Sequence, residues 1–432
     1  MKHIHFIGIG GIGMSSLARY FHAQGYVVTG SDNSRNETIR ELESEGISIA
    51  HTHLPEHLSR QITRVIYSEA IPPENPERIE AERLGIPQFS YFAALGDISQ
   101  KKYTVSICGT HGKSTTTAMA GLALEHAEID PFVILGTKVF EWGKKNIRLP
   151  QHLSSSDTIF LVESCEYHHS FLHLSPRIIA VTNMEPDHLD FFGTPEKYYN
   201  AFRHFAEKLG REDVLIANFQ KKHIASIFSR CLAQKRDYSQ YIHRVPPMSI
   251  PGQHNIENAA CVLAIADSLS ADEKKVRSAI SRFHGTWRRF EKKGESNGIL
   301  VFDDYAHHPT EIRATLSAFR KQFPTQKIWA VFQPHQYSRT RVFLREFSNS
   351  FFDADEVLIP NIYRVRDSKA DVASVSADIL VEQIRKTGTS AHYTHNFPET
   401  VTFLQENVKP SDVIVTIGAG PVHEVGELFL QS

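Results

Sequence analysis

The sequence predicts an α/β protein of three domains, at residues 1–102, 103–288 and 289–432. Two glycine-rich turns, each between an apolar strand and a helix, support that class, as does the alternation of short apolar strands with helical stretches. The turns lie at residues 8–14 and 109–114. In parallel α/β sheets, ligands bind beyond the carboxyl ends of the strands, so both turns are candidate binding sites.

Composition excludes several classes of protein. The chain is 41% hydrophobic and 22% charged, as in ordinary globular proteins, and its net charge of −2 gives no reason to expect nucleic acid or a membrane as a partner. The four cysteines form no C-x-x-C pair, which argues against a disulfide framework or a structural zinc site. The N-terminus leads directly into a strand without a signal peptide, and no apolar run approaches about 18 residues. We therefore expect a cytoplasmic protein.

The first turn follows a predicted strand at residues 3–9. Gly8, Gly10 and Gly13 form Gly-x-Gly-x-x-Gly between that strand and a predicted helix, which is the setting that diphosphate binding requires. Asp32 follows the next strand. Because NAD and a UDP-sugar present similar diphosphates to a helix N-terminus, the turn alone leaves both open.

The second turn is interpreted as an ATP site. Glycines such as Gly109 and Gly112 let backbone N–H groups approach phosphate oxygens, while Lys113 can reach the β- and γ-phosphates and Ser114 can ligate Mg²⁺. The generic pattern has a further glycine where this chain has Ile107. The alternative is an ordinary strand-to-helix turn with a surface lysine.

Further strand ends carry polar side chains that could serve the same sites. Glu163 and His188 follow two strands of the second domain, where a carboxylate and an imidazole could help to hold Mg²⁺. Asn255 and Asn258 share one face of a helix, with capping by Asn255 as the structural alternative. The other predicted strands are residues 27–30, 64–67, 103–107, 159–162, 178–182, 298–302, 328–332 and 413–417, and the first helix is residues 15–24.

Five stretches together resemble the Mur ligases, the ATP-dependent enzymes that add amino acids to the UDP-muramic acid precursor of peptidoglycan. They are GIGGIGM at 8–14, GTHGKSTTT at 109–117, NMEPDH at 183–188, DDYAHHPTE at 303–311 and FQPHQYSRT at 332–340. The last stretch is similar to that of the alanine-adding branch. The resemblance covers nearly the whole chain.

The resemblance implies a Rossmann-like N-terminal domain for the UDP-sugar, a central P-loop-type ATPase domain and a C-terminal Rossmann-like α/β domain for the amino acid. It implies a ligase that joins L-alanine to the lactyl carboxylate of UDP-N-acetylmuramate through an acyl phosphate, in peptidoglycan precursor synthesis. ATP and Mg²⁺, with two ions, would be required. The enzyme would act as a monomer or a homodimer.

The resemblance also assigns roles to matching residues. Substrate binding falls to Gly10, Gly11, Ile12, Asp32, Ser68, Tyr305, His307, His335 and Arg339. ATP binding falls to Gly109, Thr110, Gly112, Lys113, Ser114, Thr115, Asn255, Asn258 and Arg289. The catalytic residues would be Lys113, Glu163, His188, His307 and Arg339. The metal-associated residues would be Ser114, Glu163 and His188.

The chain departs from the family at several places. Residues 163–168 read ESCEYH where the family has Glu-Ala-Asp-Glu-Ser-Asp, and Gln336 stands where an arginine is usual. Phe202 lies at or beside the place where members adding later residues carry a lysine that forms a carbamate with CO₂ and binds a second Mg²⁺. Two other lysines could take the place of that residue. Lys197 lies one turn earlier in the helix, and Lys208 lies well beyond the position.

Three alternatives remain open at the level of sequence. A related ligase adds a whole tripeptide to the same nucleotide sugar, although residues 332–340 favour the single-amino-acid enzyme. An NAD-dependent oxidoreductase would explain the first turn but would leave the second without a use. A catalytically inactive nucleotide-binding protein is supported only by the altered residues 163–169.

Overall fold

Three largely parallel β-sheets, connected by helices, confirm the predicted α/β class and the three-domain fold. The computed structural model describes residues 2–153, 155, 157–365 and 367–432. The chain forms two units, one of residues up to Pro246 with Glu257–Ser281, the other of Pro247–Ile256 with Arg282–Ser432. The first unit holds two sheets and the second holds one. The predicted boundaries at 102 and 288 stay predictions.

The first sheet has five parallel strands in the order β3-β2-β1-β4-β5. Its strands are β1 (His3–Ile7), β2 (Val27–Ser31), β3 (Ser48–Ala50), β4 (Arg64–Tyr67) and β5 (Gln88–Ser90), and its helices are α1 (Ile12–Ala23), α2 (Glu37–Ser44), α3 (Pro76–Arg83) and α4 (Tyr91–Ser99). The strand order reverses between β1 and β4, which is where such sheets bind ligands. The first glycine-rich turn follows β1, and Ser68 follows β4.

The second sheet has seven strands in the order β12-β11-β10-β6-β9-β7-β8, parallel except for β8. Its strands are β6 (Tyr103–Cys108), β7 (Phe132–Val139), β8 (Lys145–Arg148), β9 (Ile159–Glu163), β10 (Ile178–Val181), β11 (Val214–Ala217) and β12 (Gln234–Asp237). Its helices are α5 (Lys113–His126), α6 (Leu189–Phe192), α7 (Pro195–Ala206), α8 (Lys222–Ile227), α9 (Gln253–Ser268) and α10 (Glu273–Ser281). Because β6 pairs with both β9 and β10, the segments that follow these three strands meet at one edge.

The first two sheets share one hydrophobic core. Tyr20 of α1 stacks on Phe132 of β7 with ring centroids 4.8 Å apart, and Phe132 stacks on Phe160 of β9 at 4.7 Å. Such aromatic pairs contribute about 0.5–1.5 kcal/mol each beyond their buried area. At the rim, Lys138 Nζ donates to the Glu37 carboxylate at 2.8 Å. The two glycine-rich turns therefore belong to one packed unit.

The second unit is built on a six-stranded sheet in the order β13-β14-β18-β15-β16-β17, in which only β13 is antiparallel to its neighbour. Its strands are β13 (Glu291–Ser296), β14 (Ile299–Asp304), β15 (Ile328–Phe332), β16 (Glu356–Ile359), β17 (Ser390–Tyr393) and β18 (Val413–Ile417). Its helices are α11 (Pro309–Gln322), α12 (Tyr337–Val342), α13 (Leu344–Ser348), α14 (Lys369–Ser374), α15 (Ala377–Lys386), α16 (Phe397–Asn407) and α17 (His423–Gln431).

Three predicted strands, at residues 64–67, 328–332 and 413–417, have the predicted bounds. The first strand and first helix do not, since β1 ends at Ile7 and α1 begins at Ile12. Gly8, with φ of 79°, turns the chain out of the strand earlier than the apolar pattern indicates. Among the described residues, no helix has the length and apolarity needed to cross a membrane.

Candidate active site

The second glycine-rich turn forms a tight loop between β6 and α5. Gly109 and Gly112 have φ of 134° and 79°, in the left-handed region that favours glycine. A Cβ at Gly109 would overlap the Thr182 hydroxyl, and one at Gly112 would overlap the Asn258 side chain. The loop therefore requires glycine at both places, and its backbone N–H groups precede the N-terminus of α5, as in phosphate sites.

Lys113, the first residue of α5, folds back over this loop. Its Nζ donates to the carbonyls of Gly109 at 2.5 Å and Thr110 at 3.0 Å, and to Glu166 Oε2 at 3.2 Å. Glu166 is fully buried. Burial disfavours the lysine charge, but Glu166, with help from Glu163, outweighs it and raises the pKa of Lys113. The lysine is therefore held as a cation at the loop.

Ser114 and Glu163 are in direct contact. Ser114 Oγ donates to Glu163 Oε1 at 2.8 Å, and the Gly136 N–H donates to Oε2 at 2.6 Å. Thr115 is buried in the same turn of α5. Hydroxyl and carboxylate oxygens are the ligands that Mg²⁺ prefers, so this pair fits that ion.

The segment after β10 fastens the loop from its other side. Asn183 Oδ1 accepts from the His111 N–H at 3.0 Å, and its Nδ2 donates to the His111 carbonyl at 2.9 Å. Thr110 Oγ1 donates to the Glu185 carbonyl and lies 2.7 Å from the hydroxyl of the fully buried Tyr198. Sequence reasoning missed the roles of Glu166, Asn183 and Tyr198. The role of Asn183 could have been predicted, because Asn183 belongs to the motif at residues 183–188, whereas no motif contains Tyr198.

His188 caps the short helix α6 in a left-handed conformation, with φ of 53°. Its N–H donates to Asp187 Oδ1 at 2.7 Å, and its ring centroid lies 4.6 Å from that of Tyr167. Tyr167 directly follows Glu166, so His188 lies against the segment that carries both acidic residues. An imidazole suits Mg²⁺ less well than oxygen does.

The first glycine-rich turn is organised by Asp32. Its Oδ2 accepts from the Gly10 N–H at 2.8 Å, and its Oδ1 accepts from the N–H and hydroxyl of Ser34 at 2.8 and 2.7 Å. Both oxygens therefore hold the protein's own backbone. Gly11 precedes α1 without a side-chain cap, and Ile12 is the first, exposed residue of that helix.

Ser68 lies beside this turn, because its N–H donates to the Ile7 carbonyl at 3.0 Å. The two asparagines of α9 have different surroundings. Asn258 packs against Gly112 of the phosphate loop. Asn255 lies in the other unit, where its Nδ2 donates to the Pro251 carbonyl at 2.6 Å. The capping alternative for Asn255 is wrong, because α9 begins before it, at residue 253.

In the second unit, four of the predicted residues form one row. The Arg289 guanidinium lies 5.1 Å from the centroid of the Tyr305 ring, and His307 Nδ1 lies 3.1 Å from the Tyr305 carbonyl. The ring centroids of His307 and His335 are 6.4 Å apart. Arg339 lies half-buried on α12. Tyr305 and His307 follow the carboxyl end of β14 and His335 follows that of β15, whereas Arg289 precedes β13.

Gln336 and Arg288 were not assigned roles from sequence. Gln336 has φ of 72°, and its amide donates to the Val365 carbonyl at 3.3 Å. Arg288 is buried, donates to Asp303 Oδ2 at 2.7 Å, and donates to the carbonyls of Gly418 and Gly420. It thereby ties the last glycine-rich turn to the start of the second unit's sheet.

Three family models match the chain in order. The Mur ligase family catalytic domain matches residues 3–103, the Mur ligase middle domain matches residues 107–244, and the Mur ligase glutamate ligase domain matches residues 288–420. Together they cover both glycine-rich turns and the row of residues in the second unit.

Full-length relatives agree with these matches. The UDP-N-acetylmuramate–L-alanine ligases of Caldanaerobacter subterraneus subsp. tengcongensis and Acetivibrio thermocellus are 38% and 37% identical to this chain, over all of it and 97% and 96% of their own lengths. The solved UDP-N-acetylmuramate-alanine ligase MurC of Thermotoga maritima is 25% identical, with a TM-score of 0.81 over 100% of this chain and 99% of that one. The murein peptide ligase of Psychrobacter arcticus shares the fold, at 23% identity and a TM-score of 0.70 over 100% and 98%. The chain therefore belongs to the Mur ligase family.

Proposed function

We propose that this protein joins L-alanine to the lactyl carboxylate of UDP-N-acetylmuramate at the expense of ATP, a step in peptidoglycan precursor synthesis. Its full-length relatives carry that activity in their names. The observation that carries the proposal is the second turn, where the charged Lys113 lies beside the Ser114–Glu163 pair. An oxidoreductase would have no use for such a loop beside the first turn, and the assay below distinguishes an active ligase from an inactive nucleotide-binding protein.

The chemistry needs phosphoryl transfer because a carboxylate is a poor acyl donor. The lactyl carboxylate attacks the γ-phosphorus of ATP, ADP leaves, and an acyl phosphate remains. The amine of alanine then attacks the acyl carbon, and phosphate leaves with the electron pair of the broken C–O bond. Lys113 can exchange its bonds to the Gly109 and Thr110 carbonyls for the phosphate oxygens, where its charge stabilises the transition state.

We assign the metal to Ser114 and Glu163, with His188 as a further metal-associated residue and two ions in total. Bound Mg²⁺ would neutralise charge on the phosphates. Both side chains already lie within hydrogen-bond distance of each other, so a cation can bind between their oxygens without a large rearrangement. Glu166, in contrast, remains with Lys113 and keeps the lysine charged.

The remaining roles follow the surroundings of each residue. The N–H groups of Gly10, Gly11 and Ile12 are assigned to the UDP diphosphate, near Asp32 and Ser68. Separately, Asn255 and Asn258 are assigned to adenine, and Arg289 to the ATP phosphates. In the second unit, Arg339 is assigned to the carboxylate of alanine, and Tyr305, His307 and His335 to its amine, where an imidazole can take the ammonium proton. We also propose that the protein is cytoplasmic, since ATP is a substrate, and that it acts as a monomer or a homodimer.

One assay tests this function. Phosphate release from ATP is measured with and without UDP-N-acetylmuramate, in the presence of L-alanine, glycine, L-serine or the tripeptide. We expect release only when the nucleotide sugar and an amino acid are both present, with L-alanine preferred. Preference for the tripeptide would identify the recycling ligase instead. Absence of release, with tight binding of NAD, would favour the oxidoreductase.

A further inference from the structure

A buried carboxylate with several imidazole neighbours lies below the first glycine-rich turn. Glu77 of α3 is fully buried. Its Oε2 accepts from the Ser31 hydroxyl at 2.5 Å and lies 3.4 Å from His53 Nδ1, while its Oε1 lies 2.6 Å from His57 Nδ1. His5 Nε2 is 3.6 Å from Oε2. Charged residues are seldom buried so completely unless they have partners of this kind.

This arrangement determines the tautomer of His53. Burial alone would raise the pKa of Glu77, but contacts from His5, Ser31 and His57 outweigh it and lower the pKa to about 2. The carboxylate is therefore ionised and can only accept hydrogen bonds. Ser31 uses its single proton on Glu77, so at 2.9 Å from His53 Nδ1 its oxygen can only accept. His53 must then carry its proton on Nδ1.

The other nitrogen of His53 is then a hydrogen-bond acceptor. In a neutral imidazole, protonation of Nδ1 leaves a lone pair on Nε2. The ring lines a cavity of about 650 Å³, together with Asn33 and Thr52. The same cavity is bounded by Ile71, which packs against Gly8 of the glycine-rich turn. Because Nδ1 faces the buried carboxylate, the Nε2 edge is the one that is left to face the cavity.

We infer that Glu77 is a positioning residue for nucleotide-sugar binding, which acts through Ser31 to present His53 Nε2 as an acceptor for an N–H or O–H group of the nucleoside. This inference rests on the proposed function, since it takes the cavity beside the first turn as part of the UDP-sugar site. The donor is either the imide N–H of the base or a ribose hydroxyl. Asp32 has both oxygens engaged with the backbone, so His53 supplies a polar contact that Asp32 does not.

The first test observes the tautomer itself. Long-range ¹H–¹⁵N correlation spectra of histidine-labelled enzyme distinguish Nδ1–H from Nε2–H rings, and His53→Leu identifies the signal. We expect the Nδ1–H form in the wild type. In Glu77→Gln, the neutral amide can donate to Ser31, so the Ser31 hydroxyl can donate to His53 Nδ1 instead. The population of His53 rings protonated on Nε2 should therefore increase. A wild-type ring protonated on Nε2 would overturn the inference without the need for any variant.

The second test measures binding by calorimetry, with UDP, CDP and ATP as probes. His53→Leu and Glu77→Gln should each weaken UDP binding roughly threefold to tenfold, as expected for one lost hydrogen bond, while ATP binding and kcat at saturating nucleotide sugar stay unchanged. His53→Gln, which keeps an acceptor near the Nε2 position, should recover part of the affinity. The matched control is His51→Leu. His51 lies on the same segment as His53 but is exposed and paired with Glu43, so this variant should bind UDP normally.

The CDP arm distinguishes the two donors. Cytosine has no imide N–H, so a wild-type preference for UDP that disappears in His53→Leu identifies the base, whereas equal losses for both nucleotides identify the ribose. Unchanged UDP affinity in a folded His53→Leu variant would overturn the inference. If the wild type itself ligates no alanine and binds no UDP-N-acetylmuramate, the proposed function fails; if it does both while the variants match it, only this inference fails.

Discussion

The two glycine-rich turns of this protein differ in what holds them in place. The first contains no basic residue, and its backbone is held by the Asp32 carboxylate, the Ser31 carbonyl and the Asn36 amide. The second is held by the polar groups of residues 182–185 and carries a lysine neutralised by the buried Glu166. A turn that only binds a diphosphate can rely on N–H groups and a helix N-terminus, whereas phosphoryl transfer needs a cation and metal ligands kept in place before the substrate arrives.

Among the substitutions that test this difference, Lys113→Ala should have the largest effect on ligase activity. Removal of the cation that we assign to the transferring phosphate should lower kcat by about a thousandfold, in the range typical for loss of one electrostatic contact in a transition state. UDP-N-acetylmuramate binding, measured by calorimetry, should stay within about twofold of the wild type, since we assign that site to the first turn.

Lys138→Ala is the matched control, because this lysine pairs with Glu37 and Glu41 away from the phosphate loop. It should retain ligase activity. Equal loss of nucleotide-sugar binding and ligation in the Lys113 variant would show that the two turns do not act separately.

Glu166→Gln should have the next largest effect. Loss of the carboxylate leaves the largely buried Lys113 without its main partner, and breaking a buried pair typically costs about 3–5 kcal/mol of stability. Because Glu166 raises the pKa of Lys113, its removal should lower that pKa and move the alkaline fall of kcat to lower pH. Thermal unfolding and a pH–rate profile check both effects. A lower melting temperature with an unchanged pH profile would mean that Glu166 is only structural.

Gly10→Ala tests the first turn. A Cβ at this position would lie 2.9 Å from both Asp32 Oδ2 and Ile39 Cδ1, so the turn must shift and its bond to Asp32 must lengthen. We expect roughly tenfold weaker binding of UDP-N-acetylmuramate and an unchanged KM for ATP. In the wild type, NAD and NADP should bind far more weakly than the nucleotide sugar. Micromolar binding of NAD that disappears in Gly10→Trp would reassign the turn to a nicotinamide cofactor.

No effect is expected from removal of CO₂. Phe202 is buried, with its ring centroid 5.3 Å from Phe171 and 5.1 Å from Tyr198, and it offers no amine for a carbamate. Lys197 is exposed, and Lys208 donates to the carbonyls of residues 172 and 174. Activity of degassed enzyme near pH 6.5–7 should therefore equal that after addition of bicarbonate. Rescue of several-fold would contradict this.

Local patterns predicted the strands and turns well. Residues 328–332 and 413–417 are mainly apolar runs bounded by polar residues or glycine, so the sequence itself indicates where they end. The start of α1 could not be read in this way. Ile9 and Ile12 look like parts of regular elements, whereas the conformation of Gly8 sets where the strand stops.

Charged residues in the interior were harder to predict. Nothing in the neighbouring sequence distinguishes Glu166 from a surface glutamate or Arg288 from Arg289 beside it. Their burial depends on partners that lie far away in the chain, Lys113 in one case and Asp303 in the other. The same holds for Glu77, whose contacts come from β1, β2 and the segment after β3.

The shared core of the first two sheets has a thermodynamic consequence. Because the first two sheets share one core, in which Tyr20 of α1 stacks on Phe132 of the second sheet, we expect the two to unfold in a single cooperative transition. A ligand at either turn then stabilises the folded form that carries the other, by about 2.7 kcal/mol at a concentration a hundred times its Kd. One melting curve should thus report occupancy of both proposed nucleotide sites, and saturation of one should protect the other, empty site from thermal loss.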